Sequence, residues 1–230
     1  MTSESMNADE FRKILKEATH KATRVIFEIN KENNAEKKDG KRTYEYEATL
    51  KAQIYHQLLL SGISARKLRC ELKPNVKGFQ KKHIDLWFES EDGKEVMIEI
   101  KWIPGFNRRK TEFREYDLRH KNGNDKAGII PDIIKLLEIA NQFAKEKDDD
   151  SDVSGIIIVS YVGEEHPQGL SNAEETGLIK QLNLALKDEI KNRKGSSKFE
   201  PDLVKILMCL PVSYGDSKYH NLDLQPKKIR

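Results

Sequence analysis

Two short runs of alternating apolar and polar residues most constrain the fold of this chain. They are residues 83–89 and 96–102, and Glu91-Asp92-Gly93 lies between them. Alternation with a period of two is typical of β-strands with one buried face, and a short link ending in Asp-Gly favours a hairpin. The segment therefore predicts two neighbouring antiparallel strands.

The register of this hairpin decides which side chains share a face, because a slip of one residue turns a strand over. A two-residue Asp92-Gly93 turn would set Leu86 opposite Glu99 and bury a charge. A three-residue loop, with Gly93 in the left-handed conformation of a bulge, avoids this. The second register pairs Phe88 with Val96, Leu86 with Ile98, Ile84 with Ile100 and, on the other face, Asp85 with Glu99.

The charged face of the hairpin predicts a metal site. Directly opposed side chains lie about 5 Å apart at Cβ, and two carboxylates at that separation repel each other unless a cation lies between them. A hard ion such as Mg²⁺ binds oxygen ligands of this kind. Lys101, two residues beyond Glu99, could orient or deprotonate a water molecule there. The alternative is a pair of polar strand positions that face solvent.

The rest of the chain predicts an α/β fold, with a mixed central β-sheet flanked by helices. We expect residues 1–42 to form an N-terminal helix, over 7–30, and a polar connector, and residues 43–230 to form the main domain. Its second helix should begin near Thr43 and bury a stripe of Leu50, Ile54 and Leu58. The further predicted elements are a strand over 67–72, a helix over 124–147, a strand over 153–162, a helix over 173–193 and a strand over 203–210 stopped by Pro211.

Composition excludes several classes of protein. The net charge of +3 does not by itself identify a nucleic-acid binder, and 230 residues fit one α/β domain with an appendage. The longest aliphatic run, 156–159, is far too short to span a bilayer, and no apolar signal region begins the chain, so we expect a cytoplasmic protein without membrane contact. Cys70 and Cys209 are expected to be small core residues. No phosphate-binding glycine loop, serine-hydrolase elbow or His-Glu-x-x-His motif is present.

The motif around the hairpin resembles a known family. Asp85 is followed after thirteen residues by Glu99-Ile100-Lys101, a helix carrying Glu47 precedes it, and a helix and a strand follow. This arrangement resembles the PD-(D/E)XK nuclease superfamily, also called restriction-endonuclease-like, whose core order is αβββαβ. The resemblance covers residues 43–162, with Ile84 where the signature has proline.

The resemblance implies roles for five residues. Asp85 and Glu99 would bind Mg²⁺, which Mn²⁺ could replace, the backbone carbonyl of Ile100 would complete the metal site, and Lys101 would act on the attacking water. Glu47 would assist from the first helix of the core, with Glu45 as the fallback, although a glutamate in a first turn is also favoured by the helix dipole. The later run from Asp132 to Lys135 resembles helices of some members, and we assign it no catalytic role.

Two basic stretches adjoin the predicted catalytic strands. Residues 66–82 contain seven Lys or Arg against one acid, and residues 101–121 contain seven against three. They are candidates to hold phosphates, although a solvated face or a surface loop has the same composition. The candidate nucleic-acid contacts are Arg108, Arg109, Lys110, Arg114, Arg119, Lys81, Lys82 and His83, the last of which could equally lie at the edge of the site.

These observations favour a Mg²⁺-dependent endonuclease that uses a metal-activated water, and the resemblance implies that its substrate is DNA rather than RNA. Double-strand cleavage would need two sites, which suits a homodimer, and the helix over 7–30 could either form that contact or cover the core. The alternatives are a non-catalytic nucleic-acid-binding module with the same fold and a protein interaction module.

Overall fold

The computed structural model describes residues 6–35, 47–103, 112–122, 125–146, 153–161, 171–193, 205–213 and 216–224. The helices are α1 (Ala8–Ala35), α2 (Glu47–Leu60), α3 (Glu115–Leu118), α4 (Ile129–Glu146) and α5 (Asn172–Asn192). The strands are β1 (Leu68–Leu72), β2 (Ile84–Glu89), β3 (Glu95–Ile103), β4 (His120–Asn122), β5 (Asp125–Ala127), β6 (Val153–Tyr161), β7 (Lys205–Ser213) and β8 (Asp216–Asn221). None of the helices within these ranges combines the length and the apolar character needed to cross a bilayer.

Six of the strands form one mixed sheet in the order β1-β2-β3-β6-β7-β8. The first three strands are antiparallel, β3, β6 and β7 are parallel to one another, and β8 returns antiparallel to β7. Helices pack on both faces, so the predicted α/β architecture is confirmed. Along the chain, α2, β1, β2, β3, α4 and β6 follow the expected αβββαβ order.

The hairpin between β2 and β3 has the predicted three-residue loop. Leu86 pairs with Ile98 and Phe88 with Val96. The amide of Ser90 donates to the carbonyl of Lys94 at 2.9 Å, and Gly93 has a φ of +77°. This register puts Leu86, Phe88, Val96, Ile98 and Ile100 into one half of the core. Ile84 lies in the other half with Trp87 and Met97, and the pairing of β2 with β3 ends at Leu86 and Ile98, so the predicted pairs of Ile84 with Ile100 and of Asp85 with Glu99 are wrong.

Helix α1 covers the sheet on the same side as α2. Its apolar stripe is buried, and Phe11 stacks on Phe88 with 3.8 Å between the ring centroids. Thr23 Oγ1 lies 3.0 Å from Ser160 Oγ, which ties the helix to β6. Of the two roles considered for this helix, the described residues show it covering the core. The α2 stripe is buried as predicted, and α4 and α5 cover the opposite face.

The predicted helix over 124–147 begins too early. Residues 125–127 instead form β5, which pairs with β4, and α4 starts after Gly128. Gly128 has a φ of +112°, and a Cβ at this position would lie 2.7 Å from the carbonyl oxygen of Leu118. Such a backbone conformation is outside the helical region, so the helix cannot extend back through it.

Two further predictions are wrong. Pro211 does not stop β7, which continues to Ser213 beside β8, with a register irregularity between these two residues. A proline is tolerated there because the pairing of β7 with β6 ends at Cys209, so that the proline lies beyond the doubly paired part of the strand. Cys70 is exposed rather than a core residue, whereas Cys209 is buried as expected.

Candidate active site

The predicted catalytic side chains gather where β2 and β3 pass between α2 and α4. Asp85 and Glu99 come from the two strands of the hairpin, and Lys101 lies further along β3. Glu47 is in the first turn of α2, whose stripe of Leu50, Ile54 and Leu58 packs on the sheet and so directs this end of the helix toward β3. The fold thus brings four separated sequence positions to one location.

Asp85 is held by two donors. Its Oδ2 accepts a hydrogen bond from the amide of Ile100 at 2.8 Å, and its Oδ1 lies 2.6 Å from Lys51 Nζ on α2. Lys51 also contacts Glu71 on β1. Burial alone would lower the pKa of the Lys51 ammonium, but Asp85 and Glu71 together raise it above its ordinary value. Lys51 therefore remains a cation beside Asp85.

Glu71 occupies an unusual backbone position. Its φ is +49°, and the pairing of Cys70 with Leu86 and of Leu72 with Ile84 places it level with Asp85. A left-handed conformation costs a residue other than glycine about 1 kcal/mol or more. The Glu71 carboxylate lies between Lys51 and His83, whose Nδ1 is 3.7 Å from Oε2. Backbone strain of this kind tends to cluster at functional sites.

Glu99 is almost completely buried, with 3% of its side chain exposed. Its Oε1 lies 2.8 Å from Lys135 Nζ on α4. Burial raises the pKa of Glu99, the neighbouring Asp85 raises it further, and Lys135 only partly opposes them. These surroundings therefore favour the protonated form of Glu99 unless a further cation lies nearby.

Lys101 lies between two carboxylates. Its Nζ is 2.9 Å from Asp132 Oδ2 on α4 and 3.3 Å from Glu47 Oε1. The other oxygen of Glu47 accepts a hydrogen bond from the amide of Trp102 at 3.2 Å. Burial would lower the pKa of Lys101, but Asp132 and Glu47 raise it above its ordinary value. Lys101 is thus a charged donor in this arrangement rather than a base.

The whole cluster has more negative than positive groups. It contains five carboxylates and three ammonium groups, a formal excess of two negative charges. The carboxylates are Glu47, Glu71, Asp85, Glu99 and Asp132, and the ammonium groups are Lys51, Lys101 and Lys135. An excess of two charges with oxygen donors fits one hard divalent cation.

The described ranges contain no group of three or more His, Cys, Asp and Glu side chains arranged to hold a metal ion. A Mg²⁺ ion held by two carboxylates does not require such a group, because it keeps several water ligands. Asp85 and Glu99 therefore fit the ion as donors, although each now contacts a lysine. The amide of Ile100 is used by Asp85, and a metal contact from its carbonyl stays a prediction.

The predicted nucleic-acid contacts divide into three groups. Lys81, Lys82 and His83 are exposed just before β2, and His83 lies 3.7 Å from Glu71. Arg114 forms two bonds to Asp117, at 2.7 and 2.8 Å, and Arg119 pairs with Glu115 and Glu189. Arg108, Arg109 and Lys110 lie outside the described residues. The fallback Glu45 and the predicted helix start near Thr43 lie outside them as well.

Sequence reasoning missed four members of the cluster: Lys51, Glu71, Asp132 and Lys135. Lys51 could have been found by its spacing, because it lies four residues after Glu47 and therefore on the same side of α2. Asp132 and Lys135 are three residues apart on α4, and both were noted in the sequence without a role. Glu71 has no signal in the sequence, since its position depends on the strand pairing.

No family model and no curated protein matches this chain. Among solved structures, SfsA of Pyrococcus furiosus in complex with Ca²⁺ is similar to it at 13% sequence identity. The alignment covers 80% of this chain and 73% of that chain, with a TM-score of 0.31. A TM-score at this level carries no argument, so the interpretation of the site depends on the residues of this chain.

Proposed function

We propose that this protein is a Mg²⁺-dependent DNA endonuclease that hydrolyses phosphodiester bonds with a metal-activated water, and that Mn²⁺ can replace Mg²⁺. The observation that carries the proposal is the cluster itself. Asp85, Glu99, Lys101 and Glu47 are the four residues selected from the sequence. Glu99, Lys101 and Glu47 are linked by contacts through Lys135 and Asp132, and Asp85 lies close enough to Glu99 for its carboxylate to raise the pKa of Glu99. Polar strand positions that merely face solvent would not be brought together in this way.

In this proposal, Asp85 and Glu99 hold the metal ion, which when bound would lower the pKa of a water and offset charge on the phosphoryl oxygens. The chain's own residues supply orientation and charge. The amide of Ile100 fixes the Asp85 carboxylate at 2.8 Å. Lys101, kept protonated by Asp132 and Glu47, donates to a phosphate oxygen or to the attacking water. Glu47, anchored by the Trp102 amide and 3.3 Å from Lys101, would take the proton that this water loses.

One observation favours a second candidate, a non-catalytic nucleic-acid-binding module. Asp85 is paired with Lys51 and Glu99 with Lys135, so both proposed metal ligands already have a cation within 2.8 Å or less. An ion would have to compete with these lysines. The excess of two negative charges across the cluster argues that they do not replace it fully.

The deciding experiment measures cleavage of supercoiled and linear DNA in Mg²⁺, in Mn²⁺ and in EDTA. We expect metal-dependent cleavage by the wild type and a loss of about 100-fold or more in Asp85→Asn and Lys101→Met. Lys218→Met is the matched control, because it also removes an ammonium paired with a carboxylate, Glu175, but outside the cluster. All variants would first be compared with the wild type by circular dichroism and thermal melting.

The outcomes separate the candidates. DNA retention without cleavage in any metal, unchanged in both site variants, would refute the nuclease and support the binding module. Absence of binding to both DNA and heparin would favour the protein interaction module instead, because a nucleic-acid-binding surface retains polyanions in a salt-dependent way. Equal cleavage by Lys218→Met and Lys101→Met would also contradict the proposed site.

A further inference from the structure

An open cleft of about 300 Å³ adjoins the candidate active site. Lys101 and Glu47 line one part of it, and the segment around α3 lines the rest through Arg114, Tyr116 and His120. Gly128 and Ile129, at the start of α4, also line it. The cleft therefore connects Lys101, which is proposed to hold a phosphate, with the side chains around α3, which have no role in the proposed hydrolysis.

Tyr116 is the notable side chain of this cleft. It is 65% exposed, which is unusual for a large ring in a folded protein. One face of the ring stacks on His120, with 4.0 Å between the centroids and an angle of 12° between the planes. The stacked pair is a flat aromatic surface at the rim of the cleft.

The aromatic pair is fixed in place by the local backbone. His120 Nδ1 lies 2.9 Å from the carbonyl oxygen of Tyr116, and because a carbonyl can only accept, Nδ1 is the donor. Close contact between Gly128 and Leu118 holds the end of α3 against the start of α4. A prearranged surface of this kind loses little conformational entropy when a second ring stacks on it.

Arg114 adds a cation to the same cleft. About half of its side chain is exposed, and its guanidinium is held by both oxygens of the buried Asp117 carboxylate. Arginine at a fixed position beside an aromatic ring is suited to a phosphate or to the plane of a base. The cleft thus offers a stacking surface and two cations that match the parts of a nucleotide. The cations are Arg114 and Lys101, and each is paired with a carboxylate that also lines the cleft, Asp117 and Glu47.

We propose that the Tyr116–His120 pair stacks on an unpaired base of a DNA strand whose backbone phosphate lies at Lys101. The identity of that phosphate rests on the proposed function, whereas the base contact does not require cleavage. Bases within a duplex are already stacked on their neighbours, so the site favours single-stranded or frayed DNA. The substrate class of the site is therefore a DNA strand with an accessible base.

Binding in EDTA tests this proposal without catalysis. The probe is fluorescein-labelled single-stranded oligothymidylate, and the measurement is the dissociation constant by fluorescence anisotropy. We expect Tyr116→Ala to bind about 10-fold more weakly, as is typical for loss of one base stack, and Tyr116→Phe to bind as the wild type does. Leu184→Ala is the control, because Leu184 is a comparably exposed side chain on α5, away from the lining of the cleft.

A second probe isolates the base from the backbone. On an abasic oligomer of the same length, which retains its phosphates, the wild type and Tyr116→Ala are expected to bind equally. On a blunt duplex, Tyr116→Ala should lose less affinity than on the single strand. Unchanged melting temperatures would establish that the substitutions leave the fold intact.

Each outcome bears on this inference separately from the nuclease. Equal affinity of Tyr116→Ala and wild type for the single strand, or no binding of the strand by the wild type, overturns the base contact even if DNA is cut in Mg²⁺. An equal loss in Tyr116→Phe and Tyr116→Ala also overturns it, because the ring face would not be the contact. Loss in Tyr116→Ala alone supports the inference even if no metal gives cleavage.

Discussion

Glu99 and Glu175 are both nearly inaccessible carboxylates, yet their surroundings differ. Glu175 on α5 lies 2.5 Å from His220 Nε2 and 3.4 Å from Lys218 Nζ, both on β8. Glu99 on β3 has Lys135 at 2.8 Å, but it also lies close enough to Asp85 for that carboxylate to raise its pKa. One carboxylate is surrounded by compensating groups, and the other is crowded by like charge.

The difference separates a structural use of buried charge from a functional one. A buried carboxylate is tolerated when donors and opposite charges compensate for its lost hydration. Glu175 meets this condition through the Lys218 ammonium, because burial lowers the pKa of His220 and favours its neutral ring. Its contacts help to hold α5 against β8. The crowding around Glu99 lowers stability in the absence of a further cation. Perturbed groups of this kind cluster at sites that bind or react.

The largest expected effect comes from exchanging each carboxylate for its amide. Glu99→Gln should reduce metal-dependent cleavage by about 100-fold or more. It should change the free energy of unfolding by less than about 1 kcal/mol, because the raised pKa of Glu99 favours the neutral carboxyl group that glutamine resembles. Glu175→Gln should lower the free energy of unfolding by about 2 kcal/mol and preserve cleavage, because it weakens compensated contacts. Urea denaturation and initial cleavage rates measure both effects. Equal destabilisation by Glu99→Gln and Glu175→Gln would contradict the distinction between a functional and a structural buried carboxylate.

The next prediction concerns Gly128, which directly precedes α4, the helix that carries Asp132 and Lys135. Gly128→Ala should lower the free energy of unfolding by about 2–4 kcal/mol, because the new Cβ combines an unfavourable φ with a 2.7 Å approach to the Leu118 carbonyl. Gly78→Ala is the matched control, since Gly78 has a φ of +89° with nothing within 4 Å, and we expect about 1 kcal/mol there. Chemical denaturation gives both values. Similar losses would show that the contact with Leu118 is unimportant.

A smaller effect is expected at the start of α5, the helix that carries Glu175. Ser171 caps this helix by accepting from the Glu174 amide, and the Glu174 side chain accepts from the Ser171 amide. Ser171→Ala should lower the free energy of unfolding by about 1 kcal/mol and leave metal-dependent cleavage unchanged. A loss of cleavage in this variant, with the fold intact at the assay temperature, would mean that the two regions are coupled.

The smallest effect concerns the two cysteines, Cys70 on β1 and Cys209 on β7. Cys70 is exposed next to Glu71, whereas Cys209 is buried in β7, where burial raises the pKa of its thiol to about 12. The folded protein should therefore react with a thiol reagent at Cys70 and not at Cys209. Partial burial of the thiol and the nearby Glu71 raise the pKa of Cys70, so its reaction rate should increase steadily between pH 7 and pH 9 as more thiolate forms. Reaction of a second cysteine with the reagent in the absence of denaturant would contradict the buried position of Cys209.

Local patterns were sufficient for the central part of the fold. Alternation and the single Gly93 predicted the register of Leu86 with Ile98 and of Phe88 with Val96, because a slip would have buried charge. Periodicity predicted the buried stripe of α2. The predictions failed at two positions. At Gly128 a turn was predicted to be part of a helix, and at Pro211 the strand β7 was predicted to end. At both positions a neighbouring backbone segment determines the conformation.

The sequence by itself determined the order of the core elements and the three residues, Asp85, Glu99 and Lys101, whose spacing along one hairpin places them together. Only the tertiary structure decided which charges surround them. Lys51 and Lys135 reach Asp85 and Glu99 from helices on opposite faces of the sheet, and Glu71 reaches Lys51 through a left-handed residue in β1. A hairpin fixes its own neighbours through short-range hydrogen bonds, whereas contacts between distant elements depend on how whole faces pack.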